Sequence, residues 1–395
     1  MKILQLSPQF PLPTDNGGKI GIFNIFKEFA EQGAEVTFVC YAEDIDSEQL
    51  KIAEQYGEVI IIRHSTKNTN LRIFNSLFSN IPLYLGKHFN DNIRKELKQI
   101  AKTHKFDVIH ADHSCMAAPA LFLKKMLNIP VGLRLHNIEY KIWRRYSNSL
   151  PKYSLKGMFV SDQANKLKAA ESQLYGMADI CFAITENDKK IAYQLNKNAK
   201  VIVASAGVDL HEWKVEEVQR NNSEMILATT WDWVHNIDGA KWFVERVLPL
   251  VKKEFPDAQL TLTGKHLPDW FKDKKEFGVN PVGYVDDVKP YLNKANIYVA
   301  PLFVGSGIRI KILEALAMEL PVIATSISAE GIKDNFANGI YVTNNPKEFA
   351  RIIIDLMKHP ATTRKIGKEA REFIQREYTW NNNVAKMMQE YKKLI

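Results

Sequence analysis

The run Pro301-Leu302-Phe303-Val304-Gly305-Ser306-Gly307-Ile308-Arg309-Ile310-Lys311-Ile312-Leu313-Glu314-Ala315 reads as a strand end, a small-residue loop and the start of a helix near Ile308. Gly305, Ser306 and Gly307 leave backbone N–H groups aimed ahead of that helix, where an anion is favoured. Arg309 and Lys311 put positive charge in the first turn, against the helix dipole. That placement makes sense if an anion such as a pyrophosphate offsets it. Glu314, further along, can accept hydrogen bonds from sugar or ribose hydroxyls. The bland alternative is an exposed helix carrying ordinary charges.

A strand that feeds a loop and then a helix is the unit of a parallel α/β sheet, and the same unit recurs along the chain. Short apolar runs occur at 3–7, 36–41, 59–63, 107–111, 131–136, 180–185 and 201–206, and a second series at 225–230, 260–264, 297–301, 322–326 and 340–343. Near-continuous hydrophobic strands separated by helices imply parallel sheets covered on both faces. Two series imply two doubly wound, Rossmann-like domains, expected at 1–205 and 206–375. The polar stretch Glu216–Glu224 reads as a linker, and a last helix within 376–395 lies beyond the second series. Ligands of such sheets sit beyond the carboxyl ends of the strands, so a central cleft faced by both domains is the expected site.

The 395 residues are too many for one ordinary core. With 46% hydrophobic and 25% charged residues, the composition is that of a soluble globular protein. No apolar run approaches the roughly 18 residues of a membrane span. Met1–Pro13 reads as a strand entering a Pro-rich loop rather than a signal peptide. Cys40, Cys115 and Cys181 are far apart and set among apolar neighbours, so they read as reduced core thiols in a cytoplasmic protein, without metal spacing. The net charge of +8 is uneven: residues 63–168 hold 19 Lys and Arg against 6 Asp and Glu. Such a cluster is either a solvated surface or a face suited to an anionic membrane or a phosphate-bearing acceptor. Nucleic acid is not expected, since no binding motif accompanies the charge.

Three other strand-end loops are candidates. Asn16-Gly17-Gly18-Lys19 precedes a helix with Ile22, Phe26 and Phe29 on one face, and its glycines would let the backbone approach a ligand. It lacks the G-x-G-x-x-G dinucleotide fingerprint, which argues against a dehydrogenase. His110-Ala111-Asp112-His113 and His136-Asn137-Ile138-Glu139 close two adjacent strands. Histidines there suit hydrogen bonding or proton transfer near neutral pH, although a structural role is the common reading of either one alone.

At these residues the chain resembles the retaining family-4 glycosyltransferases, which have the two-Rossmann-domain architecture called GT-B. The likeness includes Gly17-Gly18, Asp107–His110, His136, Gly207-Val208-Asp209, Gly283-Tyr284-Val285 before a helix from Asp286, and Tyr378-Thr379-Trp380. Ile312-Leu313-Glu314-Ala315-Leu316-Ala317-Met318-Glu319-Leu320-Pro321-Val322 is its most specific part. The chain departs from the family where Ser306 replaces the first of two glutamates separated by seven residues. It departs again where the loop Thr229–Asn236, with Trp231 and Trp233, lacks the usual Arg and Lys. It is closer to a polysaccharide-building subgroup with a Gly-Ser-Gly version of the glutamate motif.

The resemblance implies retention of anomeric configuration, no metal and no cofactor beyond a nucleotide-sugar substrate. It gives His136, Arg309, Lys311 and Glu314 catalytic roles. Donor contacts fall to Gly17, Gly18, Trp231, Tyr284, Val285, Gly305, Ser306, Gly307 and Ile308, and acceptor contacts to His110, His113 and Asn137. A saccharide or lipid-linked saccharide acceptor is expected on the first domain, and the last helix is expected to cross back onto that domain. Leu71, Phe74, Leu77, Phe78 and Ile81 form an apolar stripe for which core packing is the simpler explanation. The alternative is a peripheral face on the inner side of a membrane, bordered by Arg72, Lys87, Trp143-Arg144-Arg145, Lys152 and Lys156. Two other functions fit the fold: a nucleotide-sugar epimerase, for which the strand-end loops show no convincing carboxylate pair, and an inactive nucleotide-binding scaffold.

Overall fold

A computed structural model describes residues 1–151, 153–305, 307–333 and 338–395 of the chain, so Lys152 and Ser306 lie outside the described residues. The chain divides into two compact units: Met1–Ser205 with Asn383–Ile395, and Ala206–Asn382.

In the first unit, seven strands form a parallel sheet: β1 (Lys2–Ser7), β2 (Glu35–Ala42), β3 (Glu58–Arg63), β4 (Val108–Asp112), β5 (Val131–Leu135), β6 (Ile180–Ala183) and β7 (Val201–Val203). Their order is β3-β2-β1-β4-β5-β6-β7. The chain reverses its direction of growth between β1 and β4, which makes that crevice the switch point where ligands of such sheets bind. The strands are apolar on both faces because helices cover both. Ile22, Ile25, Phe26 and Phe29 of the Gly17–Glu31 helix are fully buried, as the 3.6-residue period requires. The Trp380–Lys392 helix lends Val384, Met387 and Tyr391 to the core, each with no exposed surface.

The second unit repeats the plan with β8 (Glu224–Ala228), β9 (Gln259–Thr263), β10 (Val279–Gly283), β11 (Ile297–Ala300), β12 (Val322–Ala324) and β13 (Ile340–Val342), in the order β10-β9-β8-β11-β12-β13, all parallel. Its switch point lies between β8 and β11. The Gly207-Val208-Asp209 and Tyr378-Thr379-Trp380 motifs meet here, with the Val208 amide donating to Tyr378 O at 2.8 Å. A side chain at Gly207 would collide with the Thr379–Trp380 backbone.

Several sequence expectations change. β10 does not read as a strand because Asn280, Pro281 and Gly283 interrupt its apolar pattern. It is an edge strand with a register irregularity between Pro281 and Gly283, and both features let a sheet tolerate a proline. The helix expected from Asp286 begins at Lys289, and the one expected near Ile308 spans Ile310–Ala317, so Arg309 is its N-cap rather than a first-turn residue. Most consequentially, the Leu71–Ile81 stripe is not core. Those five side chains are 47–80% exposed, although the helix Asn70–Phe78 forms.

Candidate active site

At the first switch point the carboxyl ends of β1, β4 and β5 assemble a buried polar cluster beneath the Gly17–Glu31 helix. Asp112, the last residue of β4, has no exposed surface. Its carboxylate accepts from Gln5 Nε2 at 2.7 Å and Arg134 Nη1 at 3.3 Å. His110 Nε2 stands 3.7 Å away, an electrostatic pairing rather than a hydrogen bond. Burial alone would raise the Asp112 carboxyl, but His110, with Arg134 and His113, outweighs it and holds the group well below the ordinary range. Behind the cluster, His110 Nδ1 and the Tyr391 hydroxyl are 2.6 Å apart. Gly132 leaves the room that the Tyr391 ring occupies.

The front of the cluster is underused. Among the described residues, Arg134 Nε and Nη2, His136 Nε2, His113 Nδ1 and Gln5 Oε1 are buried without a hydrogen-bond partner. Each such group costs about 1–3 kcal/mol unless something satisfies it, so a convergence of them marks a place prepared for a polar ligand. Gly21 opens the approach: a Cβ there would sit 3.1 Å from both Arg134 Nη atoms and 3.3 Å from His136 Nε2. His113 and His136 stack at 4.3 Å between ring centroids. Burial pushes His113 down to about 4 and His136 well below its ordinary value, so both rings are neutral at pH 7 and each can donate and accept. His113 also has φ 71° and ψ 148°, a backbone region almost confined to glycine. Holding a histidine there costs roughly 1–3 kcal/mol and is typical of functional sites.

A buried pair of carboxylates, Glu139 and Glu171, secures the turn after His136, with Glu171 reaching it from a helix and not from a strand-end loop. The Glu139–Ser149 helix follows β5 at once, and its N-cap, Ile138, has no side chain able to cap it. Glu171, from the Leu155–Met177 helix, supplies the cap instead, accepting from the Glu139 and Tyr140 amides at 2.9 and 3.1 Å and from the Tyr175 hydroxyl at 2.7 Å. Burial pushes Glu171 up to about 7; burial and the nearby Glu171 push Glu139 up to about 8.

The residues expected on this side are thus partly united. His113 and His136 line the opening, and Gly18 is near, since a Cβ on it would come 4.0 Å from His113 Nε2. Asn137 follows His136 in the turn that Glu171 secures. His110 is buried behind, facing Tyr391 and Asp112, and is not positioned to touch a ligand. Gly17 begins the helix, whose Asn16 cap accepts from the Lys19 amide. Arg134, Gln5 and Gly21 went unremarked in the sequence reading. The signal was there, since an arginine and a glutamine inside strands buried on both faces must serve a polar purpose.

The second switch point is built from loops. After β8, Asn236 Nδ2 donates to Thr229 Oγ1 at 2.8 Å and Thr230 O at 2.6 Å, and Asp232 accepts from Thr230 Oγ1 at 2.7 Å. After β11, the Leu302 amide donates to Ser328 Oγ at 3.0 Å, and Thr325 Oγ1 donates to Leu302 O. Gly305 has φ 146° and Gly307 φ 78°. The Arg309 guanidinium folds back over Gly305, where a Cβ would collide with it. Burial pulls Arg309 down, and Glu330 opposes that pull. Lys311 Nζ pairs with Glu314 at 2.9 Å and lies 5.8 Å above the Trp213 ring, while Glu314 itself is buried. Tyr284 is exposed, with Lys265 Nζ 5.0 Å over its ring, and Val285 and Ile308 flank these loops in sequence.

Trp231 needs correcting as a donor contact. Its side chain is buried in the core against Phe271, and its Nε1 donates to Thr263 O at 3.2 Å. Trp233, two residues on, is exposed instead.

Comparison with known proteins agrees with this architecture. The "Glycosyltransferase Family 4" model matches residues 16–212, and the "Glycosyl transferases group 1" model matches residues 225–359. An uncharacterized 44.6 kDa protein in the cps region of Klebsiella pneumoniae is 23% identical over 95% of this chain and 96% of its own. Among solved structures, sucrose-phosphate synthase from Thermosynechococcus elongatus superposes with a TM-score of 0.71 at 16% identity, covering 100% of this chain and 99% of its own. Anabaena Alr3699/HepE in complex with UDP gives 0.67 at 14% identity, covering 100% of both chains. The two-unit parallel α/β fold is that of the GT-B proteins. With the two family models together spanning most of its length, the chain belongs to the group 1 and family 4 glycosyltransferases.

Proposed function

We propose that the protein transfers a sugar from a nucleotide-sugar donor to a saccharide or lipid-linked saccharide acceptor, with retention of configuration and without a metal, at the cytoplasmic face of a membrane. The observation that carries this reading is the convergence of the buried, unpartnered Arg134, His136 and His113 atoms at the first switch point. A polyhydroxylated ligand both donates and accepts, as these groups require. The Klebsiella relative's place in a cps region supports polysaccharide assembly as the setting, and Alr3699/HepE, solved with UDP and with UDP and glucose, supports the donor class.

In this reading the second unit binds the nucleoside diphosphate. Arg309 and the Gly305–Gly307 amides stabilise charge developing on the leaving pyrophosphate. Lys311 and Glu314, already paired, present a cation near that charge and a carboxylate for ribose hydroxyls. His136 and His113, neutral and stacked, orient the sugar or the acceptor hydroxyl. The buried Glu139–Glu171 pair holds the turn that carries His136 and does not serve as an epimerase's acid and base, because Glu171 is spent on two backbone amides and Tyr175. The test is release of nucleoside diphosphate from a panel of sugar nucleotides with and without saccharide acceptors. Acceptor-dependent release supports the transferase. Acceptor-independent rearrangement supports the epimerase, and no turnover of any donor supports an inactive homologue.

A further inference from the structure

We propose that the exposed face formed by the Asn70–Phe78 helix and the start of the Leu155–Met177 helix docks on an anionic lipid bilayer. The inference names a surface outside the candidate active site and does not depend on the transferase reading.

The face is apolar and fixed in place, and Lys156 and Lys166 lie on its longer helix. Leu71, Phe74, Leu77, Phe78 and Ile81 are all exposed, and the Phe74 and Phe78 rings pack against each other at 5.2 Å to make a ridge. Large exposed side chains are unremarkable singly, but a contiguous group of them marks an interaction site. The ridge does not belong to a loose loop. Thr69 caps its helix, and Lys166 Nζ donates to Ser76 O at 2.9 Å and Leu77 O at 3.3 Å, tying the helix C-terminus to the Leu155–Met177 helix. With one side of the short helix pinned, the Phe74–Phe78 side is held outward. Leu155, Met158, Asp162 and Lys166 fall at three- and four-residue spacing on one face of the longer helix. Met158 therefore lies about 12 Å along the axis from the lysine that touches the ridge helix, at 1.5 Å per residue. Leu155 and Tyr153, both more than four-fifths exposed, extend the apolar surface.

Charge decides among occupants. Residues 63–90 and 140–168, the stretches of sequence that contain the two helices, hold eleven Lys and Arg and a single acidic residue, Asp162, itself paired with Lys166 at 2.8 Å; Lys67 is paired with Glu43 at 2.8 Å. Two copies of the chain meeting through such faces would bring like charges together. A bilayer with acidic headgroups offers apolar depth for the ridge and anions for the rim in one partner. No described helix is long and apolar enough to cross a membrane, so the contact is peripheral.

The experiment is co-sedimentation of the full chain with vesicles of phosphatidylcholine alone or with 30% phosphatidylglycerol (~0.3 mole fraction, enough to set a negative surface potential). The expected result is binding to the anionic vesicles at least tenfold tighter than to the neutral ones, weakening as salt is raised. Phe74→Ser/Phe78→Ser and Lys141→Glu/Lys156→Glu should each reduce it at least tenfold. Both pairs are surface changes, so thermal unfolding and release of nucleoside diphosphate with a water-soluble acceptor should stay unchanged. Absence of vesicle binding at low salt, equal binding to neutral vesicles, or undiminished binding by the folded Phe variant would overturn the proposal. So would a lipid-free dimer that the Phe variant dissolves. Loss of turnover with vesicle binding retained would instead count against the transferase reading alone.

Discussion

The two switch points share a topology and differ in how each handles polar groups. Between β1 and β4 the chain buries an arginine, an aspartate and His110, strains the His113 backbone and leaves buried polar atoms of Arg134, His113, His136 and Gln5 unpartnered. Between β8 and β11 it offers glycine loops, an ion pair between the half-exposed Lys311 and the buried Glu314, and an exposed Tyr284 and Trp233. The first is a preorganised site whose cost is met by the surrounding core. The second is a cradle built from loops and from side chains that are half-exposed or exposed, such as Lys311 and Tyr284. In the function proposed above, that contrast suits a reaction in which the first site holds its partner rigidly and the loops of the second gather a flexible one.

The difference can be broken most forcefully at Arg134. Arg134→Met leaves Asp112 buried without its guanidinium partner, and breaking a buried pair in this way costs about 3–5 kcal/mol. Chemical denaturation should show a loss of that size, whereas Lys311→Met at the second switch point should cost less, about 1–2 kcal/mol, because Lys311 is half exposed although its partner Glu314 is buried. Equal losses at the two positions would erase the contrast.

A second effect concerns activity. His136→Ala should lower kcat/KM by about 10²-fold or more, the lower range for a positioned acid–base or hydrogen-bonding group, with thermal stability nearly unchanged because its Nε2 has no partner to lose. Steady-state kinetics with the matched donor checks it.

The pH dependence of stability should also separate two groups of buried carboxyls within the first unit. Glu139 and Glu171 have ordinary values of 4.5 and are raised to about 8 and about 7 in the fold. Their contribution is complete below the unfolded value and is lost as pH rises through the folded values. Stability should therefore decline between about pH 5 and 8, at up to about 1.4 kcal/mol for each unit by which a group is raised, and Glu139→Gln should flatten the decline. Asp112 acts oppositely, since its depressed carboxyl adds stability above its ordinary value that disappears in acid.

The smallest effect is expected at His113. Replacing it with glycine relieves the backbone strain and should stabilise the fold by about 1 kcal/mol while reducing turnover. A loss of stability would show that the unusual φ is not a cost.

Much of the fold was legible because strands buried on both faces read as unbroken apolar runs, and both series show them. The β10 edge strand did not, because an edge tolerates the asparagine, proline and glycine that elsewhere end a strand. Strand-end histidines could be picked out singly, but only the sheet order places β4 and β5 side by side and so stacks His113 on His136. Glu171 could not be found, since it reaches the His136 turn from a helix more than thirty residues downstream. The Leu71–Phe78 stripe teaches another limit. A 3.6-residue period shows that one face is apolar and is silent on whether protein or lipid covers it. Trp231 and Trp233 show the same limit over two residues: both are aromatic and near the loop, and only the backbone direction sends one inward.

The most direct test of the central claim is a thermal-shift titration with nucleoside diphosphates and no added metal. A ligand at about 100 times its Kd should add roughly 2.7 kcal/mol. The account predicts that one nucleotide class raises the Tm of the wild type and of His136→Ala, and fails to do so for Arg309→Ala. Absence of a shift with every nucleotide, or a shift abolished by His136→Ala and kept in Arg309→Ala, would contradict it.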